Sequence, residues 1–257
     1  RSSGKGWLTA PVTGFSRYWD HYPEKPVTGA VSQPFPESAP EQAWHNWGEL
    51  RHYAGVPDGD APVPEDLAQT LVRGYRAATS YSDAQVGRVL EALSDLGLAE
   101  NTVVVLWGDH GFSLGEHGLW VKHSPFELAN RIPLIVRAPG TAPGVAHGLV
   151  ESVDLYPTLV ELAGLSAPAH LQGRSFTSAL RDPREGTKRA VFTRWQNSDS
   201  IRLRMSTGQT LAFHVSGSER VSRQEALART RSCSACRDCR ICSRFWMASR
   251  CSLMTVS

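Results

Sequence analysis

Two residues that could bind a metal ion, Asp109 and His110, directly follow an apolar run of the sequence. The run, residues 102–107, is rich in β-branched side chains and has the length of a buried strand. Ligands of open α/β sheets bind at the carboxyl ends of strands, so this position favours a site. A carboxylate and an imidazole offer a metal one hard oxygen and one nitrogen. An Asp-His pair after a strand is, however, more often a turn or a helix cap.

Four further polar residues follow in the same glycine-rich segment: Glu116, His117, Lys122 and His123. The glycines between residues 108 and 118 allow the backbone to turn tightly and to approach a ligand closely. Taken alone, Lys122 has the simpler interpretation of a solvated surface lysine. Only the whole string, with its regular order of motifs, favours a functional loop.

Helices and strands alternate around this segment. Residues 65–96 are predicted to form a long helix, since Pro64 starts it, acidic residues fill its first turn and apolar residues recur at helical spacing. Prolines break residues 1–64, whose aromatic residues indicate a long packed loop. The other predicted elements are a short helix or loop at 126–131, a strand at 132–137, a helix at 155–162 capped by Ser152 or Asp154, and a strand at 190–195. This alternation predicts an α/β fold with a mostly parallel sheet.

The complete string resembles a catalytic motif of the sulfatase family. Gly-Asp-His-Gly at 108–111 is followed by Gly-Glu-His-Gly at 115–118 and by Trp-x-Lys at 120–122. The alkaline-phosphatase superfamily shares the Asp-His pair, whereas residues 115–122 point to sulfatases, and most closely to the branch of iduronate-2-sulfatases and choline sulfatases. Residues 133–140 and 150–165 resemble further sulfatase segments. The resemblance implies an incomplete alkaline-phosphatase-like sandwich, with helices flanking a mostly parallel sheet.

The resemblance also implies functional residues: metal ligands at Asp109 and His110, catalytic roles for Lys122 and His117, and sulfate contacts from Lys122 and His123. The metal would be a divalent cation, with calcium expected. Asp109 suits such a hard ion, whereas His110 could instead hydrogen-bond the nucleophile. Glu116 would orient the loop rather than bind metal. The substrate would be a small-molecule or glycan sulfate ester.

The nucleophile of the family has no counterpart in this sequence. Sulfatases carry an N-terminal Cys-x-Pro-x-Arg or Ser-x-Pro-x-Arg motif whose first residue becomes formylglycine. No cysteine here begins such a motif, and the run 166–170, Ser-Ala-Pro-Ala-His, ends in the wrong residue. The family's paired N-terminal aspartates and its His-rich strand end are missing too. The sequence therefore predicts that residues 1–200 are a partial catalytic domain, inactive alone. A phosphatase or phosphodiesterase of the same superfamily and a noncatalytic remnant remain alternatives.

Residues 201–257 differ sharply in composition from the rest of the chain. They contain ten arginines, no lysine and three acidic residues, a net charge of +7, which leaves −5 for residues 1–200 of a chain whose total is +2. Such a change marks a boundary, and we expect a disordered or frame-shifted tail. Reading the gene in its other two frames tests the hypothesis of a frame shift. If neither frame restores family-like sequence, the hypothesis is wrong.

All five cysteines lie in this tail: Cys233, Cys236, Cys239, Cys242 and Cys251. Their close spacing fits neither paired zinc knuckles nor the usual iron–sulfur runs. Disulfides would need an oxidising compartment and would leave one cysteine over. The arginines could contact nucleic acid, but no recognisable nucleic-acid-binding module accompanies them, so no specific nucleic-acid partner is predicted.

Composition sets further limits. A net charge of +2 does not single out nucleic acid or membrane as a partner, and 41% hydrophobic residues suffice for a core. No apolar run reaches membrane-spanning length, so no membrane span is expected. No signal peptide is visible behind Arg1, which suggests a removed leader or a piece of a longer protein. The resemblance is compatible with a periplasmic or secreted full-length protein.

Overall fold

The chain forms two compact units, each described separately below. A computed structural model describes residues 16–22, 35, 44, 48–53, 55–124, 126–185, 187–195, 198–204, 210–216 and 252–256. The first unit comprises the described residues within Arg1–Pro36, Trp44–Thr102 and Gly111–His123. The second comprises those within Glu37–Ala43, Val103–His110 and Ser124–Ser257.

The first unit is built around helix α2, Glu65–Asp95, which follows the short helix α1, Ser16–Trp19. Glu65 and Asp66 place negative charge in the first turn of α2, where the helix dipole favours it. Gly97 follows the helix with a φ of 68°, a left-handed conformation typical of helix ends. The predicted helix over residues 65–96 is therefore confirmed. No helix in the described part of the chain has an apolar stretch able to cross a membrane.

Helix α1 packs closely against the middle of α2. The Trp19 ring lies 4.9 Å from the Arg73 guanidinium, and the Tyr22 and Ser80 hydroxyls are 2.6 Å apart. A Cβ atom on Gly74 would lie 3.1 Å from the Trp19 side chain, so glycine allows the two helices to approach. This contact anchors part of the loop region that the sequence predicts to be packed.

A two-stranded antiparallel hairpin completes the first unit. It pairs β2, Ser113–Leu114, with β3, Trp120–Val121. A cluster of three buried side chains, Leu50, Val56 and Val121, forms a core in this unit. Leu50 is the first residue of a 3₁₀ helix, Leu50–His52. Partly buried neighbours surround the cluster: Tyr53, Val63, Leu67, Leu71, Phe112 and Trp120. Burial of these apolar groups fixes the hairpin and the 3₁₀ helix against α2.

In the second unit, β1, Val104–Trp107, pairs with β4, Leu134–Arg137. The pair is antiparallel, with Trp107 opposite Leu134, and every described strand pair is antiparallel. The mostly parallel pairing predicted from the sequence is therefore not found among the described strands. Between the two strands the structure describes one α-helix, α3, Glu127–Asn130, and its four residues are too few to carry the chain back across a sheet.

The exposure of β1 also differs from the prediction of a buried strand. Trp107 is 50% exposed, and Ile135 on β4 is 64% exposed. Among the described residues, β1 has β4 as its one hydrogen-bonded neighbour, so its other edge has no described partner. The apolar composition of residues 102–107 thus predicted the strand correctly but not its burial.

Three helices follow β4 in the described part of the chain: a 3₁₀ helix, Ser152–Asp154, then α4, Leu155–Leu162, and α5, Thr177–Arg181. The predicted helix at 155–162 is confirmed. Of the two predicted caps, Ser152 and Asp154, Asp154 occupies the N-cap position of α4, but its carboxylate makes no capping hydrogen bond to that helix. It accepts hydrogen bonds from the backbone N–H groups of Glu151 and Arg174, at 2.9 and 2.8 Å, and so is committed to other segments.

The second unit ends in a four-stranded antiparallel sheet in the order β5-β6-β7-β8: Ala190–Trp195, Ser198–Arg204, Thr210–Ser216 and Ser252–Val256. The predicted strand at 190–195 is confirmed. Strand β6 crosses the predicted boundary at residue 200, and β7 and β8 lie beyond it. The division at residue 200, with a disordered or frame-shifted tail after it, stays a prediction. In the segment of β7, the larger apolar residues Leu211, Phe213 and Val215 alternate with smaller or polar residues, a pattern typical of a strand. The cysteines of the tail lie outside the described residues.

Candidate functional site

Asp109 and His110 follow the carboxyl end of β1, as the sequence predicts. Strand β1 ends at Trp107, and the Gly108 N–H then donates to the Pro133 carbonyl over 3.1 Å. A Cβ atom on Gly108 would lie 3.1 Å from the Pro133 ring. Glycine therefore allows the close backbone contact that turns the chain out of the sheet.

The two side chains form a small exposed pair. The Asp109 carboxylate accepts a hydrogen bond of 3.0 Å from the His110 backbone, and its second oxygen lies 3.6 Å from His110 Nε2. The Asp109 side chain is 82% exposed. One oxygen and one nitrogen donor are thus close enough to share a cation.

These two donors do not by themselves fit a calcium site. Calcium takes about six to eight oxygen ligands. Within the described ranges, no group of three or more His, Cys, Asp or Glu side chains is arranged to hold a metal ion. The predicted metal role of Asp109 and His110 therefore stays a prediction, and other ligands would have to complete it.

The loop between β2 and β3 contains Glu116 and His117. The Glu116 carboxylate accepts a hydrogen bond of 2.6 Å from the Leu114 backbone, which closes the turn. This contact agrees with the predicted role of Glu116 in orienting the loop. His117 has a φ of 57° and lies in the left-handed region, flanked by Gly115 and Gly118, which also have positive φ. The predicted catalytic role of His117 stays a prediction.

Backbone strain precedes the two remaining site residues, Lys122 and His123. Val121 has a φ of 66°, although a β-branched residue rarely adopts a positive φ. Its side chain is 3% exposed and packs with Leu50 and Val56. This burial holds the strained turn in place, and such strain is often found at functional sites. The turn sets the direction in which the chain continues to Lys122.

Lys122 and His123 meet at one carboxylate, that of Glu49. The Lys122 ammonium donates to both Glu49 oxygens, at 2.8 and 2.9 Å, and His123 Nε2 lies 3.1 Å from one of them. The three side chains are 29%, 13% and 31% exposed for Lys122, His123 and Glu49. The hydrogen bond from Lys122 is the main cause that holds the pKa of Glu49 below its ordinary value, against an opposing effect of burial.

Sequence reasoning missed Glu49. It lies in the proline-rich region before α2 and is separated from Lys122 by 73 positions, so no spacing rule connects them. The neighbouring Leu50 and Val121 bring the two charges together through the buried cluster they share. Asp109 and His110 belong to the second unit and Lys122 and His123 to the first. Their predicted convergence on one pocket therefore stays a prediction.

The ion pair between Glu49 and Lys122 is expected to make the free energy of unfolding depend on pH. The folded-state pKa of Glu49 lies below its ordinary value of 4.5, so the unfolded chain binds more protons between these two values. Stability from this group is present above pH 4.5 and is lost as the pH falls through the folded-state pKa. Urea unfolding should therefore show the native chain's advantage over Glu49→Gln shrinking as the pH is lowered from about 7 to about 3.

A constant difference across that range would contradict this linkage. The carboxylates of Glu161 and Asp182 also have lowered pKa values, the first chiefly through a hydrogen bond from Ser175 and the second through one from Arg184. Both residues are present in the native chain and in Glu49→Gln, so their effects cancel in the difference.

An open cleft of about 1000 Å³ lies within the second unit. Trp107 lines it, but Asp109 and His110 do not. Its walls also include Ile135, Phe176 and the ion pair between Arg202 and Glu127. The cleft is therefore distinct from the residues that the sequence analysis assigns to chemistry.

Comparison with known proteins agrees with the motif analysis. A family model described as Sulfatase matches residues 19–165. Iduronate 2-sulfatase of Mus musculus is 39% identical, with 60% of this chain and 34% of that protein covered. Choline-sulfatase of Rhizobium meliloti is 32% identical, with 61% and 30% covered. The chain thus spans about a third of the length of these relatives.

This chain is structurally similar to a protein solved in complex with that protein's substrate, D-glucosamine-2-N,6-O-disulfate. The TM-score is 0.54 and the sequence identity is 26%. The match covers 60% of this chain and 34% of the other. The predicted alkaline-phosphatase-like α/β fold class and the predicted family are both confirmed.

Proposed function

Because the chain belongs to the sulfatase family, we propose that it carries the sulfate-binding part of a sulfuric-ester hydrolase site. The substrate would be a sulfate ester of a sugar or of another small molecule. The similar solved structure, which holds a disulfated glucosamine, supports this substrate class. The chain covers about a third of its relatives, so this activity is a proposal for the site.

The observation that carries the proposal is the cluster of Lys122, His123 and Glu49. A sulfate monoester carries one negative charge spread over its oxygens. A lysine ammonium has three N–H donors, and Glu49 has two carboxylate oxygens to receive them, which leaves donor capacity for a sulfate oxygen. Lys122 would bind that oxygen and stabilise charge as it develops on the leaving group, and His123 would add a contact to the ester.

Asp109 and His110 have a narrower role in this proposal. A divalent cation, with calcium expected, would screen the sulfate charge when bound in a complete site. Asp109 is the better ligand for such a hard ion. The described residues supply only this pair, so we derive no step of hydrolysis from a metal held by them. The proposal for this chain is thus binding and orientation of the ester.

We expect the full chain to bind an aryl sulfate without hydrolysing it. Attack on sulfur needs an activated nucleophile, and the family motif that supplies formylglycine does not occur in the 257 residues. The measurement combines calorimetric binding with release of the phenol in calcium-containing buffer, compared with a buffer blank.

Turnover above the blank that is abolished by Asp109→Ala would contradict this expectation, because the chain would then contain a nucleophile. The control Asp95→Ala removes an exposed carboxylate at the end of α2. It should change neither binding nor background hydrolysis. Failure of the aryl sulfate to bind at all would contradict the proposed function itself.

A further inference from the structure

We propose that Glu49 shifts the charge preference of this anion site towards singly charged sulfate esters and away from doubly charged phosphate monoesters. The inference rests on the proposed function, because it concerns the same anion at Lys122 and His123. It adds a residue that selects the substrate by its charge.

The first step is the geometry of the carboxylate. Both Glu49 oxygens contact the Lys122 ammonium, at 2.8 and 2.9 Å, and one also lies 3.1 Å from His123 Nε2. An anion bound to Lys122 would therefore lie close to the negative charge of Glu49. The side chains are each less than one third exposed, so water screens this repulsion incompletely.

The second step is the charge balance. Lys122 and Glu49 cancel, so the cluster has a net charge of zero with neutral His123, or of +1 with protonated His123. A sulfate monoester brings one negative charge, whereas a phosphate monoester carries nearly two above its second pKa of about 6. Since Coulomb energy is proportional to charge, the phosphate meets about twice the attraction to Lys122 and also about twice the repulsion from Glu49. The contribution of Glu49 therefore changes the ratio of the two affinities in favour of the sulfate ester.

The third step is that the fold holds the carboxylate in place. Leu50, next to Glu49, and Val121, next to Lys122, are buried in the same apolar cluster. The left-handed backbone of Val121, with its φ of 66°, further restricts the turn that leads to Lys122. Moving the backbone of Glu49 away from a bound anion would disturb this packing, and the two contacts with Lys122 hold the carboxylate itself. The lowered pKa of Glu49 agrees with a carboxylate that keeps its charge at neutral pH.

The test compares binding of 4-nitrophenyl sulfate and 4-nitrophenyl phosphate at about pH 8, where the phosphate is doubly charged. Glu49→Gln, which has nearly the same shape, is expected to strengthen sulfate binding about threefold and phosphate binding about tenfold. The ratio of the two affinities should thus move towards phosphate. Glu49→Asp, which keeps the charge, should retain the native ratio.

Two further variants separate the possible failures. Glu91→Gln makes the same change in net charge at an exposed position of α2 and should leave both affinities unchanged. Lys122→Met should weaken both ligands. If it does not, or if neither ester binds to the native chain or to Glu49→Gln, the proposed function fails. If Lys122→Met weakens both but Glu49→Gln leaves the ratio unchanged, or weakens both equally, the charge-selection inference fails while the anion site stands.

Discussion

Replacing Lys188 with methionine is expected to lower the free energy of unfolding by about 3–5 kcal/mol. The Lys188 side chain is 8% exposed, and its ammonium contacts the carboxylates of Glu151 and Asp154. These carboxylates are themselves 13% and 1% exposed. Methionine keeps most of the length of the side chain but removes its charge, so the two buried carboxylates lose the ammonium that contacts both of them.

The effect should be large because the network joins distant segments of the second unit. Asp154 lies 2.7 Å from the Lys188 ammonium and also accepts a hydrogen bond from the Arg174 backbone. Glu151 accepts a hydrogen bond of 3.0 Å from the Phe192 backbone, on β5. Loss of Lys188 therefore weakens the connection between the start of α4 and the sheet.

Urea unfolding of the two proteins measures this loss. The matched control is Arg184→Met, which breaks an ion pair with Asp182 at a position where the arginine side chain is 90% exposed. That change should have no measurable effect, because exposed ion pairs contribute little. Equal stability of Lys188→Met and the native chain would show that the buried network is not needed for folding.

Removing the ammonium of Lys122 is expected to weaken binding of an aryl sulfate at least about tenfold. A hydrogen bond to a charged group contributes about 1.5–3 kcal/mol, which corresponds to about a ten- to hundredfold change in affinity. Lys122→Met would also leave the Glu49 carboxylate without the cation that both of its oxygens contact. Its repulsion of the sulfate group would then add to the loss.

Calorimetric titration of Lys122→Met and of Arg88→Met measures this effect. Arg88 is exposed on α2 and donates to Gln85, so its replacement makes the same change in net charge away from the cluster. Equal weakening by both variants would show that the anion responds only to the overall charge of the protein. Loss of affinity in Lys122→Met alone would support a specific contact.

Local sequence patterns predicted most of the individual elements. Helix α2, strand β5 and helix α4 have apolar spacing, caps or turn residues that act within a few positions, and their positions are confirmed. The pairing of β1 with β4 was not predicted, because strand direction depends on the path of the connection between them. The prediction that β1 is buried was wrong for a similar reason, because the burial of a strand depends on its neighbours in the sheet.

In the candidate site, too, residues close together in the sequence were predicted, whereas contacts between distant residues were not. The motif loop predicts Lys122 and His123 as site residues and Glu116 as a residue that orients the loop, because all three lie in one short glycine-rich segment. Glu49 and the partners of Lys188 were missed, since their contacts join positions 73 and 37 residues apart. The position of Asp154 before α4 predicts a helix cap, whereas its carboxylate contacts Lys188 and accepts a hydrogen bond from the Arg174 backbone. Such contacts arise only when the chain folds.

The most direct test of sulfate binding at Lys122 and His123 is a chemical-shift map of the full chain titrated with 4-nitrophenyl sulfate. The largest changes are predicted at Lys122, His123 and Glu49, with saturation as the ester is added. The same titration of Lys122→Met should leave these positions nearly unchanged. Saturable shifts that lie elsewhere, or shifts at His123 and Glu49 that persist fully in Lys122→Met, would contradict the assignment of this cluster as the sulfate-binding site.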